Sequence, residues 1–326
     1  MSRMTDPEAP VPTEDQLAAA YDVVSAHLER TPVVPLRLTG IAGPVLAKLD
    51  TMQPTGSFKV RGALAACAAY AAEGARIVTA SAGNHGLGIA YAATRLGVPA
   101  TVVVPETASP AKVAALRGFD VDLRQIGRSY DEAERAALEI ASGTGRFVSA
   151  YNDPHVIAGE ATLACELLDQ VEPATVLVPV GGGGLAAGTA RVLAGRTGWH
   201  VVGVEAARSP VVSSAIAAGR VVPVDVGETI ADGLAGNIEP DSITPALLAA
   251  SRTPVCGASE PAIRSAVGQL ATEAGLVVEG SGAVGVAALR EGIVEGAVGG
   301  DTPDVTVVLL TGRNIATGLL CELLAE

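Results

Sequence analysis

The feature that most restricts the fold is a regular alternation. Short β-branched runs are followed by alanine-rich segments of helical period, from about residue 44 to the C-terminal region. PVLAKLD (44–50), RIVTAS (76–81), ATVVVP (100–105), VDLRQIG (121–127), RFVSA (146–150), TVLVPVG (175–181), HVVGVEA (200–206) and VTVVLLTG (305–312) read as strands. Residues 14–30, 59–73, 85–97, 110–118, 129–142, 154–171, 184–196 and 260–274 read as helices. Such a chain builds βαβ units, so the fold class is α/β, with mostly parallel sheets covered on both faces. In these sheets ligands collect at the carboxyl ends of strands. The glycine-rich turns at those ends are therefore where function is to be sought.

Composition excludes several function classes. The chain has 326 residues, enough for two domains. Its net charge is −13 and aromatic residues make up 3%. Neither suits nucleic acid, which needs cationic grooves and stacking rings, nor an anionic membrane surface. Gly, Pro or charge interrupts every apolar run before transmembrane length. The N-terminal MSRMTDPEAPVPTEDQ lacks the apolar centre of a signal peptide and reads as a loose arm. Cys67, Cys165, Cys256 and Cys321 are scattered without metal-like spacing. They suit reduced, mostly buried thiols in a cytoplasmic protein.

Three turns and one lysine stand out. In VPVGGGGLAAG (178–188) a strand runs into Gly181, Gly182, Gly183 and Gly184, and a helix begins at about Gly184 with Leu185 following. Glycine lets backbone approach an anion, and the N–H groups of a helix start favour phosphate. Gly182, Gly184 and Ala187 also fit a G-x-G-x-x-A dinucleotide fingerprint, with Glu205 where a ribose-binding carboxylate belongs. A nicotinamide dehydrogenase thus stays open on this segment. In TASAGNHGLGIAYAA (79–93), Ser81, Ala82, Gly83, Asn84 and His85 offer N–H groups and an amide to a carboxylate. Alternatively, Asn84 and His85 cap backbone groups. LLTGRNIATG (309–318) closes the last strand with Thr311 and Gly312. In QPTGSFKVRGA (53–63) a helix is expected from about Ser57, capped by its hydroxyl, with Phe58 and Lys59 in the first turn. By itself Lys59 reads as a solvated surface lysine.

Taken in order, TGSFKVRGA, SAGNHGLGIA, VGGGGLAAG and TGRN resemble the fold-type II pyridoxal-phosphate enzymes, in the threonine/serine dehydratase branch that includes the serine racemases. YNDPHVIAGEAT (151–162), ETIADGLAG (228–236) and VVEGSGAVGVAAL (277–289) are similar to that branch as well. The resemblance runs from about residue 14 over nearly the whole chain. It implies two α/β domains, a large one of residues 1–74 and 153–326 and a small one of 75–152, with pyridoxal phosphate in the cleft between them. It implies that Lys59 forms the internal Schiff base, that Gly181 to Gly184 with Leu185 hold the phosphate, and that Phe58 lies near the ring. By the same resemblance Asn84 bonds the phenolic oxygen, Ser81 to His85 clasp the substrate carboxylate, and Thr311 faces the pyridine nitrogen. Asn152, Gly233 and Glu279 fall near the cofactor. A homodimer is usual in the family.

The implied activity is β-elimination from a β-hydroxy amino acid, threonine or serine by default, to a 2-oxo acid and ammonia. Hydroxyaspartate and phenylserine stay open as substrates. A racemase is the alternative on the same fold, and an amino-acid sensor lacking catalysis is another. Departures from the family pattern bear on these. Racemases carry a serine hydroxyl where this chain has Ala82, so little racemisation is expected. The family's cation site follows the strand ending in Glu205, and its further positions are here Ser209 and Val211; valine offers no side-chain ligand, so no metal is expected. Arg313 stands where many relatives have a small residue, and it is expected to reach solvent or a subunit interface. The chain ends soon after TGRN, and no separate regulatory domain is expected.

Overall fold

The computed structural model describes residues 11–294, 296 and 303–326. Among them are twelve α-helices and ten strands. In chain order these are α1 (Glu14–His27), β1 (Val33–Leu36), β2 (Val45–Leu49), α2 (Lys59–Ala72), β3 (Arg76–Ala80), α3 (Asn84–Leu96), β4 (Ala100–Val104), α4 (Pro110–Leu116), β5 (Asp122–Gln125), α5 (Tyr130–Thr144), β6 (Gly145–Phe147) and α6 (Pro154–Gln170). There follow β7 (Thr175–Pro179), α7 (Gly184–Leu193), β8 (His200–Ala206), α8 (Val211–Ala218), α9 (Thr244–Ala250), β9 (Val255–Ala258), α10 (Glu260–Ala274), α11 (Gly280–Arg290), β10 (Thr306–Leu310) and α12 (Thr317–Ala325).

The strands form two sheets. One has six strands in the order β1-β2-β10-β7-β8-β9, the other four in the order β5-β4-β3-β6. Among the described residues only the β1–β2 pair is antiparallel. β4 and β7 are buried at every residue, as strands covered on both faces must be, and their sequences are correspondingly apolar without alternation. The expected α/β class with parallel-rich sheets is what the chain adopts.

The chain divides into two compact units, one of Arg30–Met52 and Leu163–Glu326 with the six-stranded sheet, the other of Pro12–Glu29 and Gln53–Thr162 with the four-stranded sheet. The second unit takes in α1, α2 and the first half of α6 besides the strands of 75–152. The reason is close helix packing. A β-carbon on Gly88 of α3 would lie 3.0 Å from the Lys59 carbonyl oxygen, so α2 and α3 pack backbone to backbone. The core of this unit joins Val60, Leu64 and Cys67 of α2 to Ile89 and Ala93 of α3 and to Val102 of β4.

Elements unforeseen in the sequence are short or rich in special residues. β1, VVPL, carries Pro35 on the sheet's edge, where a missing N–H costs no ladder bond. β9, VCGA, is the other edge strand and has only four residues. α11 holds Gly280, Gly282 and Gly285, poor helix formers that packing requires. A β-carbon on Gly282 would stand 3.1 Å from the Gly312 carbonyl oxygen, and one on Gly280 2.4 Å from that of Ile230. The cysteines also differ from expectation. Cys67 is buried, Cys165 and Cys256 are half-buried and Cys321 is exposed, because α12 buries only Leu323. None of the four forms a disulfide. No helix among the described residues is long and apolar enough to cross a membrane.

Candidate active site

Both sheets present a turn at a switch point. From β3 the chain passes through α3 to β4 on one side, while β6 lies on the other; from β7 it passes through α7 to β8, while β10 lies on the other side. At such points helices diverge and leave a crevice at the strand ends. The turn after β3 is Ser81–Gly83, and the turn after β7 is Val180–Gly183.

In the unit with the four-stranded sheet, Lys59 opens α2. Its Nζ donates to the Ala150 carbonyl at 2.6 Å and to Glu160 Oε1 at 2.8 Å, and lies 4.6 Å from the Phe58 ring centroid. The side chain is only 17% exposed, so Lys59 is not the solvated lysine that its own stretch suggested. The expected cap is also absent. Phe58, in helical conformation, holds the N-cap position, which puts Ser57 one residue too early for its hydroxyl to reach the first turn. The Ser57 hydroxyl is instead buried without a hydrogen-bond partner.

Ser81 to His85 form a tight bend. The Gly83 N–H donates to Ser81 Oγ at 3.2 Å, and a β-carbon on Gly86 would overlap the Ser81 carbonyl oxygen. The N-cap of α3 is Gly83, which has no side chain to cap the helix. Ala82 and Asn84 are half-buried, and Asn84 is the first residue of α3. His85 is buried and bonds the Val148 carbonyl through Nε2 at 3.1 Å, while its Nδ1 has no partner. Burial, together with the Lys59 charge, pushes the imidazole down to about 3, so it is neutral at physiological pH. Asn152 is half-buried just before α6, its N–H donating to Ser149 Oγ at 3.1 Å. In this unit Gln53 Nε2, Ser57 Oγ, His85 Nδ1 and Glu160 Oε2 are buried without partners, as is His27 Nδ1 on α1. Buried groups of this kind are ordinarily satisfied, and together they fit a site that receives a polar ligand.

In the unit with the six-stranded sheet, the glycine turn is held from behind. Gly183 is the N-cap of α7 at φ +88°, a left-handed conformation that favours glycine, and no side chain caps this helix. The Thr244 hydroxyl donates to the Gly182 carbonyl. A β-carbon on Gly181 would meet the Gly233 carbonyl oxygen at 3.0 Å. The Gly233 N–H in turn donates to Ser281 Oγ at 2.9 Å. An uncapped helix start behind a glycine cradle fits a phosphate. Leu185 is buried in the first turn of α7. Glu279 is the N-cap of α11, and its carboxylate accepts the Asn314 N–H at 3.0 Å; Thr311, at the end of β10, is buried. Arg313 is exposed.

Glu205 is engaged within its own unit. Its carboxylate accepts the Ser213 hydroxyl and the Val212 N–H, closing the start of α8, and it is 1% exposed. Ser209 donates to the Leu234 carbonyl at 3.1 Å. Among the described residues no group of three or more His, Cys, Asp or Glu side chains could hold a metal ion.

Sequence reasoning missed Glu160, Thr244 and Ser281. Glu160 lies within YNDPHVIAGEAT, but nothing local marks one helical carboxyl as the partner of a lysine 101 positions away.

Comparison with known proteins gives the family. The family described as pyridoxal-phosphate dependent enzymes matches residues 24–312. An L-threonine ammonia-lyase of Geobacter sulfurreducens is 38% identical over 278 residues, 83% of this chain and 67% of its own length. Another from Thermotoga maritima is 38% identical over 76% of this chain, and the match spans only 63% of its length. A putative threonine dehydratase of Sinorhizobium fredii is 34% identical over 95% of this chain and 94% of its own. Among solved structures, a threonine deaminase from T.th. superposes with a TM-score of 0.82 at 34% identity, covering 94% of this chain and 99% of its own. Maize serine racemase gives 0.84 at 26% identity, covering 95% and 97%. The chain belongs to the pyridoxal-phosphate dependent enzymes of fold type II.

Proposed function

We propose that the protein is a pyridoxal-phosphate-dependent ammonia-lyase that eliminates water from a β-hydroxy amino acid, L-threonine or L-serine, giving a 2-oxo acid and ammonia. The observation that carries this reading is the setting of Lys59: a mostly buried amine held by the Ala150 carbonyl and Glu160, amid polar atoms that lack partners. The names of the relatives support threonine as the first substrate to test.

Lys59 is the residue that binds the cofactor through its amine, and the turn Gly181–Gly184, with Leu185, holds the phosphate against the start of α7. The cofactor, when bound, supplies the electron sink. Phe58, Asn84, Asn152, Gly233, Glu279 and Thr311 complete its surroundings. Ser81, Ala82, Gly83, Asn84 and His85 take the substrate carboxylate. A neutral His85 adds no cation, so this recognition falls to the dipole at the start of α3. Once free as an amine, Lys59 takes the Cα proton as general base. The β-hydroxyl leaves as water, and the released unsaturated amine hydrolyses to the 2-oxo acid and ammonia. Thr311 offers a hydroxyl, which does not hold a ring nitrogen protonated as a carboxylate would, so elimination is favoured over transamination. At Ala82 a methyl group moves no proton on the opposite face of Cα, which disfavours racemisation.

The proposal extends to the division of labour, with the substrate loop on residues 75–152 and the phosphate turn on the remainder. It also includes a homodimer, the state usual in the family it resembles, and a cytoplasmic location, which suits four cysteines that form no disulfide. Sedimentation velocity checks the dimer. The test of function uses purified protein supplied with pyridoxal phosphate. A visible absorbance band that borohydride bleaches, with a mass increment on Lys59, is expected. Equal yields of 2-oxo acid and ammonia from threonine or serine are expected too; a loaded protein that makes neither from any β-hydroxy amino acid overturns the assignment.

A further inference from the structure

Glu160 sits on α6 with its side chain fully buried. Oε1 accepts the Lys59 ammonium at 2.8 Å, and Oε2 is buried without a partner. The pairing depends on glycines. A β-carbon on Gly62 of α2 would lie 2.9 Å from the Val156 carbonyl oxygen and 3.2 Å from Glu160 Cγ, and one on Gly159 would lie 2.5 Å from the Arg61 carbonyl oxygen. The two helices therefore meet at backbone distance and enclose the carboxyl. The neighbouring helices carry charged and titratable groups. Lys59 on α2 bears directly on the carboxyl. His85 on α3 is neutral, and the Arg61 guanidinium on α2 donates to Thr162 Oγ1 at 3.2 Å.

We propose that Glu160 is a positioning residue that stores the proton of Lys59, standing as a carboxylate while the lysine is a free ammonium and as a neutral acid whenever the lysine amine is engaged or must act as a base. This rests on the reading that Lys59 carries the cofactor. In the transfer one N–H bond of Nζ breaks and one O–H bond forms on the carboxyl. The nitrogen keeps the electron pair, and the pair of side chains is neutral overall before and after. Burial favours this exchange. A buried carboxylate without its cation is costly, and burial pushes the Glu160 carboxyl up while the Lys59 charge pulls it down. When the ammonium is lost, the opposing pull goes with it. A neutral Lys59 amine results, which is the form able to accept the Cα proton. Its proton remains within hydrogen-bond reach for return.

The test is infrared difference spectroscopy on the whole protein, cofactor-loaded minus cofactor-free, with visible absorbance read on the same samples. Loading is expected to produce a protonated-carboxyl C=O stretch that is missing in Glu160→Gln, an isosteric variant. A loaded, coloured wild type without that stretch, or the same stretch in Glu160→Gln, overturns the proton store and leaves the lyase reading standing. A sample that never colours overturns the reading of Lys59 as the cofactor residue. Cofactor-free Lys59→Ala then decides the remainder, and it serves equally if Glu160→Gln fails to fold. With the ammonium deleted, Glu160 is expected to show the acid stretch that the cofactor-free wild type lacks. Its absence from Lys59→Ala overturns the inference.

Discussion

The backbones of Gly159 and Arg61 are in contact: a β-carbon on Gly159 would lie 2.5 Å from the Arg61 carbonyl oxygen and 2.7 Å from Gly62 Cα. This close crossing of α6 over α2 sets the adjacent residue, Glu160, against Lys59. A lysine at the start of one helix thereby gains a buried carboxyl from another.

Replacing Gly159 with Ala tests that crossing. In a free helix the change would stabilise by about 1 kcal/mol. Here the new methyl meets backbone atoms, which no side-chain rotation can move aside. A net loss on the order of 1–3 kcal/mol is expected from overpacking. A lower urea midpoint at unchanged slope is the expected readout; a raised midpoint would contradict the crossing.

The Thr244 hydroxyl holds the Gly182 carbonyl, and so fixes the glycine cradle from behind. Thr244→Val removes this hydrogen bond, worth about 1 kcal/mol, along with the one shared with the Ser242 hydroxyl, which does not touch the cradle. The dissociation constant for pyridoxal phosphate is expected to rise roughly fivefold, as that energy implies. Thr244→Ser should restore it. Titration of the cofactor-free protein, followed by absorbance, measures both; equal affinities for all three proteins would remove Thr244 from this role.

His85 makes stability depend on acid. Its folded value of about 3 lies below the 6.5 of an unperturbed imidazole. The unfolded chain therefore binds the extra proton between those values. The stability that neutral His85 contributes is complete above pH 6.5 and is lost as pH falls towards 3, at about 1.4 kcal/mol per unit. The Glu160 carboxyl, pushed up by burial, acts in the opposite sense and is common to both proteins compared. His85→Gln keeps an N–H for the Val148 carbonyl but cannot titrate. Denaturant unfolding from pH 7 to pH 4 should show the wild type losing stability more steeply than the variant; parallel slopes would refute the assignment.

Ala82 bears on stereochemistry. The wild type should form little D-serine from L-serine. Ala82→Ser adds a hydroxyl to the half-buried turn after β3 and is expected to raise D-serine formation at least tenfold, with elimination still present. Chiral chromatography of the reaction mixture decides it. Rapid racemisation by the wild type would show that another group serves that face.

The α/β class, the parallel sheets and the glycine turns were legible in the sequence because they are local. β-branched runs and helical periodicity record whether a segment lies buried in a sheet or along a helix face, and Gly181–Gly184 mark a turn wherever they occur. Edge strands β1 and β9 and the glycine-rich α11 were not legible, since four-residue runs carry little pattern and packing overrides propensity. The order of TGSFKVRGA, SAGNHG, GGGG and TGRN was enough to suggest the family and to single out Lys59. Only the tertiary structure decided the surroundings of these residues. Glu160 comes to Lys59 from 101 positions away and Thr244 to Gly182 from 62, while the Ser57 hydroxyl, a helix cap by local rules, is buried without a partner. Sequence spacing determines what a segment forms; contact between distant segments is set by how closely their backbones approach, and here Gly62 and Gly159 permit that approach.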